Sequence, residues 1–191
     1  MNMKTNQNME TTDNLVIRQD KREINEIIVH SSATPEGADF TVEDLDYWHR
    51  RRNFRCIGYH YVIYRDGSIH PGRPVEEMGA HCKAGKHNYH SIGVCYIGGV
   101  EKDGHTPKDT RTPEQKEALR ALLGMLKAAY PNVKIYGHRD FMPTDCPSFD
   151  ARSEYKDISD PPPEPVQKEH SVLSSWHPMR EGVVTNQEQK P

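Results

Sequence analysis

The residues best suited to chemistry sit in one short stretch, Tyr136-Gly137-His138-Arg139-Asp140-Phe141-Met142-Pro143-Thr144-Asp145-Cys146-Pro147. A histidine and a cysteine share a loop punctuated by glycine and proline, directly after a short apolar run. Neutral imidazole and thiolate are donors that suit Zn²⁺, and a catalytic zinc takes three protein ligands with a fourth position open. The third ligand must then come from elsewhere in the chain. A turn carrying a surface histidine and a small buried cysteine accounts for the same residues, so the elements that would position a site have to decide.

Ile24-Asn25-Glu26-Ile27-Ile28-Val29-His30 is a β-branched run that reads as a buried central strand. It ends in the loop Ser31-Ser32-Ala33-Thr34-Pro35-Glu36-Gly37, which leaves His30 at a strand–loop junction. Gly58 to Tyr64 is a second strand, aromatic and β-branched; the Asp66-Gly67 turn and a return over Ile69 to Gly72 make it a hairpin. Strict alternation puts Tyr59 and Tyr61 on one face, His60 and Val62 on the other. Ser91 to Gly99 is another central strand, whose glycines point to close backbone approach. Val133 to Tyr136 is the last. Laid side by side, these strands bring His30, Tyr59 and the His138–Cys146 loop to one sheet end. Two imidazoles and a thiolate there leave one open zinc position for water, which suits amide hydrolysis.

Two helices cover the sheet. Thr41 opens the first, with Asp44 in capping-box position. Leu45, Trp48 and the stem of Arg52 form its inner face, and His49 with the arginine run is expected to be solvated. Thr112-Pro113-Glu114-Gln115 starts the second, whose apolar stripe is Ala118, Leu119, Leu122, Leu123 and Leu126. Phe149 to Tyr155 is a short closing helix after Ser148. His81, His87 and His90 lie in a Gly/Lys/His/Asn-rich loop and read as groove-lining or surface residues rather than a second metal cluster. The fold class is α/β: a single domain with a central mixed β-sheet flanked by helices and a zinc site at the strand ends.

A chain of 191 residues supports one domain with a real core. It is 34% hydrophobic with a mean hydropathy of -0.89, so part of its length is expected to be solvated. Residues 1–22 read as a disordered leader, 23–158 as the folded domain and 159–191 as a Pro-rich disordered tail. A net charge of -3 gives no footprint for nucleic acid. No apolar run approaches a membrane span, and no signal-peptide core is visible near Met1, so the chain is expected to be cytoplasmic as synthesised. Cys56, Cys82, Cys95 and Cys146 show no C-x-x-C pairing, and three of the four read as small buried hydrophobes rather than a disulfide framework.

Several motifs occur in order: Ile27-Ile28-Val29-His30-Ser31-Ser32-Ala33-Thr34, Ile57-Gly58-Tyr59-His60-Tyr61, Asp66-Gly67-Ser68-Ile69, Gly79-Ala80-His81, Ser91-Ile92-Gly93-Val94-Cys95, Gly137-His138-Arg139-Asp140 and Asp145-Cys146-Pro147-Ser148-Phe149. This pattern closely resembles the zinc-dependent N-acetylmuramoyl-L-alanine amidases of the phage-lysozyme and peptidoglycan-recognition-protein type, over residues 26–155. The resemblance implies His30, His138 and Cys146 as Zn²⁺ ligands and Tyr59 as the residue beside the activated water. It implies cleavage of the amide between N-acetylmuramic acid and L-alanine of the stem peptide by an endolysin-like lytic enzyme. The partner is then peptidoglycan, met after release from the cell, with neither nucleic acid nor membrane insertion involved.

Thr144 departs from the phage members, which carry a catalytic lysine there; animal amidases resemble this chain in having threonine. A hydroxyl can assist as a hydrogen-bond donor but brings no positive charge. Asp140 is a possible acceptor behind a ligand histidine. Two other readings remain at this point. One is a non-catalytic peptidoglycan-binding module, although such members typically lack the cysteine. The other is a regulator that binds a protein through the leader or tail, neither of which carries a recognisable motif.

Overall fold

A computed structural model describes residues 22–160. The leader and tail expected at the two ends lie almost wholly outside these residues. The elements run in the order β1 (Glu26–Ser31), β2 (Thr34–Pro35), α1 (Val42–Arg51), β3 (Tyr61–Ile63), β4 (Ile69–Pro71), β5 (Ser91–Tyr96), β6 (Gly99–Val100), α2 (Pro113–Ala129), β7 (Lys134–Gly137), α3 (Ala151–Glu154) and α4 (Lys156–Ser159). Short 3₁₀ turns occupy Ala84–Tyr89 and His138–Asp140. No helix among the described residues is long and apolar enough to cross a membrane.

The main sheet has the order β4-β3-β5-β1-β7. β1 pairs parallel with both β5 and β7, β5 pairs parallel with β3, and only the β3–β4 hairpin is antiparallel. The sheet is therefore mixed, as its sequence implies. Alternation sorts its two faces. Ile27 and Val29 of β1, Ile92, Val94 and Tyr96 of β5, and Tyr61 and Ile63 of β3 join the α2 leucines in the larger core, with Ala151 and Tyr155 closing it. Val62 points the other way and meets Leu45, Ile57 and Ile97 in a smaller core, flanked by Trp48 of α1. Each large apolar side chain buried in this way contributes about 1.5–3 kcal/mol.

Both long helices begin as their sequences require. Thr41 and Asp44 form a reciprocal capping box, and Thr112 and Gln115 form another with Pro113 at the first helical position. Gln115 does more than cap. Its buried Nε2 donates to the carbonyls of Ile63 (3.2 Å) and Ile97 (3.0 Å), so the start of α2 binds the ends of two strand segments. Just ahead of α2, buried Arg111 ion-pairs with Asp109 (2.8 Å) and Glu154 (2.9 Å) while its guanidinium lies 3.3 Å from the Phe149 ring centroid. That contact ties the connector ahead of α2 to α3.

Two expectations about β3 and α1 fail. The strand is shorter than the Gly58–Tyr64 run, and Tyr59 precedes it, packing with the smaller core while Tyr61 packs in the larger one. Alternation breaks because the His60 ring takes up a ladder position: its Nδ1 accepts the Gly93 N–H (2.9 Å), while the His60 N–H donates to the Gly93 carbonyl (2.8 Å). His49 is not solvated; it is buried, and its Nδ1 accepts the Gly58 N–H (3.0 Å).

Replacing Gln115 with leucine keeps the volume but removes the donor to the buried Ile97 carbonyl and the acceptor for Thr112. Urea denaturation of Gln115→Leu should show a loss of about 2 kcal/mol, the cost of one buried group left without its partner.

Candidate active site

His30 is the penultimate residue of β1 and 1% exposed. It follows Ile28 on the face opposite Ile27 and Val29, so strand alternation alone turns it away from the α2 core. Its register partner on β5 is the buried Cys95. His138 stands immediately after β7, where Gly137 ends the strand and the 3₁₀ turn begins. The rings of His30 and His138 lie 4.6 Å apart between centroids.

Cys146 returns to the same point from the end of the following loop. Its Sγ accepts the Ser31 N–H at 3.3 Å and lies 3.7 Å from His30 Nδ1. One ligand atom from each of His30, His138 and Cys146 falls within 4.8 Å of the others. The structure thus brings together all three residues that the sequence nominates.

The loop is held by its own contacts. Arg139 N–H donates to the Cys146 carbonyl (2.7 Å), the buried Tyr96 hydroxyl donates to the Pro147 carbonyl (2.7 Å), and Ser148 Oγ donates to the Gly99 carbonyl (2.7 Å). Gly137 is required here, since a Cβ would come within 2.8 Å of Pro147 Cδ. Asp140 is not positioned behind a ligand histidine in this way; its Oδ2 accepts the Gly137 N–H (2.8 Å) and caps the turn that carries His138.

Behind His30 stands His81, a residue whose burial the sequence reading missed. His30 Nε2 and His81 Nδ1 are 3.0 Å apart, and His81 Nε2 is 3.4 Å from Ser91 Oγ. With His30 Nδ1 facing Cys146, the consistent assignment has His30 Nε2–H donating to His81 and His81 Nε2–H donating to Ser91. This holds the ring orientation that a ligand needs. Room for His81 comes from Gly93, where a Cβ would meet its ring at 2.5 Å. The one signal for this in the sequence is glycine inside β5.

Burial sets the charge states. It holds His30 and His81 well below the usual histidine pKa, helped by the neighbouring imidazoles, and it lowers His138 as well. All three rings are therefore neutral and able to act as donors. Burial also raises the Cys146 thiol, partly offset by the Ser31 N–H. A cation at this point would reverse that preference, because a coordinated thiol gives up its proton.

Tyr59 faces the same space, its ring 5.1 Å from that of His30 and 5.3 Å from that of His49. Burial, with Cys95 and Cys146 beside it, raises its hydroxyl well above 10, so it remains a donor at neutral pH. Thr144 is exposed, and its Oγ1 accepts the Cys146 N–H at 3.3 Å, leaving the hydroxyl proton uncommitted by that bond. The donor set, two neutral imidazoles and a sulfur converging on one point, fits a borderline-soft divalent cation with an open position.

An α/β sheet that brings two histidines and one cysteine together at its strand ends carries a donor set of the kind that could hold a metal ion. Comparison with known proteins gives the narrower assignment. Residues 20–149 match the family model described as N-acetylmuramoyl-L-alanine amidase. The endolysin of Klebsiella phage KP32 is 39% identical over 132 residues, covering 69% of this chain and 85% of that protein.

Among solved structures, the amidase LysC of Clostridium intestinale superposes with a TM-score of 0.60 at 28% identity, covering 71% of this chain and 84% of that one. A variant of Drosophila PGRP-LB in complex with tracheal cytotoxin gives a TM-score of 0.58 at 25% identity, over 74% and 85% of the two chains. The chain belongs to the N-acetylmuramoyl-L-alanine amidase family and is a peptidoglycan hydrolase of the endolysin kind.

His49 supports the segment that carries Tyr59 and does so as a neutral ring, with its pKa lowered by burial to about 4. Between that value and the unfolded value near 6.5 the unfolded chain binds the extra proton. Stability from this residue is therefore complete above pH 6.5 and falls as pH drops toward 4. Comparing His49→Gln with the parent by urea denaturation at pH 7 and pH 4 should show a smaller acid loss in the variant, by up to about 3 kcal/mol.

Proposed function

We propose that His30, His138 and Cys146 hold Zn²⁺, and that Tyr59 and Thr144 assist hydrolysis of the amide between N-acetylmuramic acid and L-alanine of the stem peptide. The convergence of the three ligand atoms beside the Tyr59 ring is the observation that carries this reading. Bound there, zinc supplies Lewis-acid polarisation of the scissile carbonyl and an activated water.

The chain's own groups do the remainder. The His30 ring is oriented by its bond to His81, and the neutral imidazoles need lose no proton before binding a cation. The Tyr59 hydroxyl, held protonated, donates to the oxygen on which negative charge builds as the carbonyl is attacked, or orients the water. A fixed donor at such an oxygen is worth about 10²–10³ in rate. Thr144 takes the position of the phage lysine as a neutral donor. Its bond to the Cys146 N–H places the hydroxyl on the loop that bears the thiolate, and the absence of a positive charge makes its contribution the smaller of the two. Peptidoglycan as substrate agrees with the amidase and endolysin relatives and with the tracheal-cytotoxin complex of the Drosophila protein.

Mass spectrometry of digested peptidoglycan should show free stem peptides with a new L-alanine amino terminus, lost on chelation and restored by added zinc. Muropeptides that stay intact despite bound zinc would overturn the assignment in favour of a binding module. Cys146→Ser should abolish turnover together with zinc held at the His30–His138–Cys146 centre. Tyr59→Phe should keep zinc and lower kcat about 10²-fold. Thr144→Val should lower kcat about tenfold with zinc retained, while Thr144→Ser recovers most of it; equal rates for the valine and serine variants would remove Thr144 from the mechanism.

A further inference from the structure

A second cluster of metal-binding side chains lies at the opposite end of β1. Glu26 opens the strand, and His87 and His90 come from the loop that precedes β5. Their ligand atoms all lie within 4.8 Å of one another. His87 Nδ1 is 2.7 Å and His90 Nδ1 3.3 Å from the same oxygen, Glu26 Oε2. All three side chains are partly withdrawn from water, at 15% exposure for Glu26, 18% for His87 and 31% for His90.

We propose that Glu26, His87 and His90 form a second site for a divalent cation of the zinc type, which fastens the 84–90 loop to the start of β1. Two imidazoles and one carboxylate are an established zinc donor set, and ligand atoms tetrahedrally placed about 2.0–2.1 Å from a zinc ion stand about 3.3 Å apart. The His90 separation, 3.3 Å, matches that spacing, and the His87 separation, 2.7 Å, is shorter and would open by a small ring movement on binding.

An ordinary histidine–carboxylate ion pair accounts for His87 but not for His90. The His90 Nδ1 is buried and makes no hydrogen bond, although it lies 3.3 Å from a carboxylate oxygen. A buried ring nitrogen left without a hydrogen-bond partner, this close to a carboxylate oxygen, is what a cation shared between them would satisfy.

The backbone is shaped to hold this arrangement. Gly85 and Lys86 both have positive φ, 55° and 64°, and fold the loop so that the His87 ring covers Gly85, where a Cβ would stand 2.7 Å from Nε2. Phe141 packs on the other side of His87 at 3.8 Å between centroids. The His90 carbonyl accepts the N–H groups of Asn25 (3.0 Å) and Glu26 (3.3 Å), which fixes the second histidine to the strand bearing the carboxylate. Ser91 Oγ donates to the His87 carbonyl (2.6 Å) and sits 3.4 Å from His81, so the cluster connects through His81 to His30. The loop is also held independently by Arg22, which donates to the carbonyls of Asn88 and Tyr89 (3.3 Å each), so side-chain variants at the cluster should retain the fold.

The test is metal stoichiometry of the full-length chain, stripped with chelator and titrated with Zn²⁺ by calorimetry and with Co²⁺ by absorption. Two equivalents are expected for the parent. Cys146→Ser should retain one, and its Co²⁺ spectrum should lack thiolate charge transfer. Glu26→Gln should lose the thiolate-free equivalent, or bind it at least tenfold more weakly, and keep the thiolate-bearing one. His87→Gln and His90→Gln, which lie outside β1, should do the same. A parent that binds one equivalent only, or a second equivalent that persists unchanged in Glu26→Gln and both histidine variants, overturns the proposal. Because Cys146→Ser reads the second site without the first, failure here is separable from failure of the amidase centre.

Discussion

The site depends on β1 being hydrogen-bonded on both flanks. Parallel pairing with β5 from Glu26 to Ser31 and with β7 from Glu26 to Val29 leaves no freedom of register. A slip of one residue would exchange the faces of the strand, sending His30 into the α2 leucines and Val29 into the site. Burial enforces the register that is observed, because Ile27, Ile28 and Val29 are fully buried and cannot trade places with an imidazole. The same pairing leaves the last N–H of the strand, that of Ser31, to reach the Cys146 sulfur. Strand pairing, core packing and ligand placement are therefore one constraint seen at three levels.

The face opposite α2 is organised by imidazoles as much as by aliphatic packing. His30, His81 and His60 stand edge to face in succession, with centroids 5.0 and 5.6 Å apart. Charged rings at this spacing would repel one another in a poorly solvated space, so burial and proximity act in the same direction on His30 and His81 and keep them neutral. Neutrality lets each ring accept on one nitrogen and donate on the other. His60 illustrates this, accepting from Gly93 and approaching the Glu77 carbonyl at 3.0 Å. Small residues make the layer possible: a Cβ at Gly79 would come within 2.5 Å of the His81 ring, as one at Gly93 would.

The sequence makes much of this arrangement legible, and the failures share a cause. Capping residues, the Asp-Gly turn and the β-branched runs are local signals, and α1, α2, the β3–β4 hairpin and β1 follow from them. His30, His138 and Cys146 were recognisable from donor chemistry and strand-end position, and the structure brings them together. His49 and His81 were misread because a histidine beside arginines or within a polar loop looks solvated when only neighbours in sequence are considered. His49 meets Gly58 and His81 meets His30, contacts that become visible only once the strands are paired. Tyr59 was placed on the wrong face because an imidazole, not a peptide, completes the ladder at Gly93. Alternation counts residues and takes no account of a side chain that takes over a backbone role.

The His138–Cys146 loop is held by the protein's own hydrogen bonds. Its carbonyls at Cys146 and Pro147 are taken by Arg139 and Tyr96, Ser148 reaches back to Gly99, and Asp140 caps its first turn. His30 and Cys146 are 116 residues apart in sequence, so bringing them together costs loop-closure entropy. That cost is already met by the packing of β1, β5 and β7. A structural zinc typically supplies folding energy, because its ligands converge only when it binds. Here the three candidate ligand side chains sit within a surrounding hydrogen-bond network. A donor set of three residues, short of a fourth protein ligand, suits substrate and water better than a closed structural site would, in keeping with the amidase family to which the chain belongs.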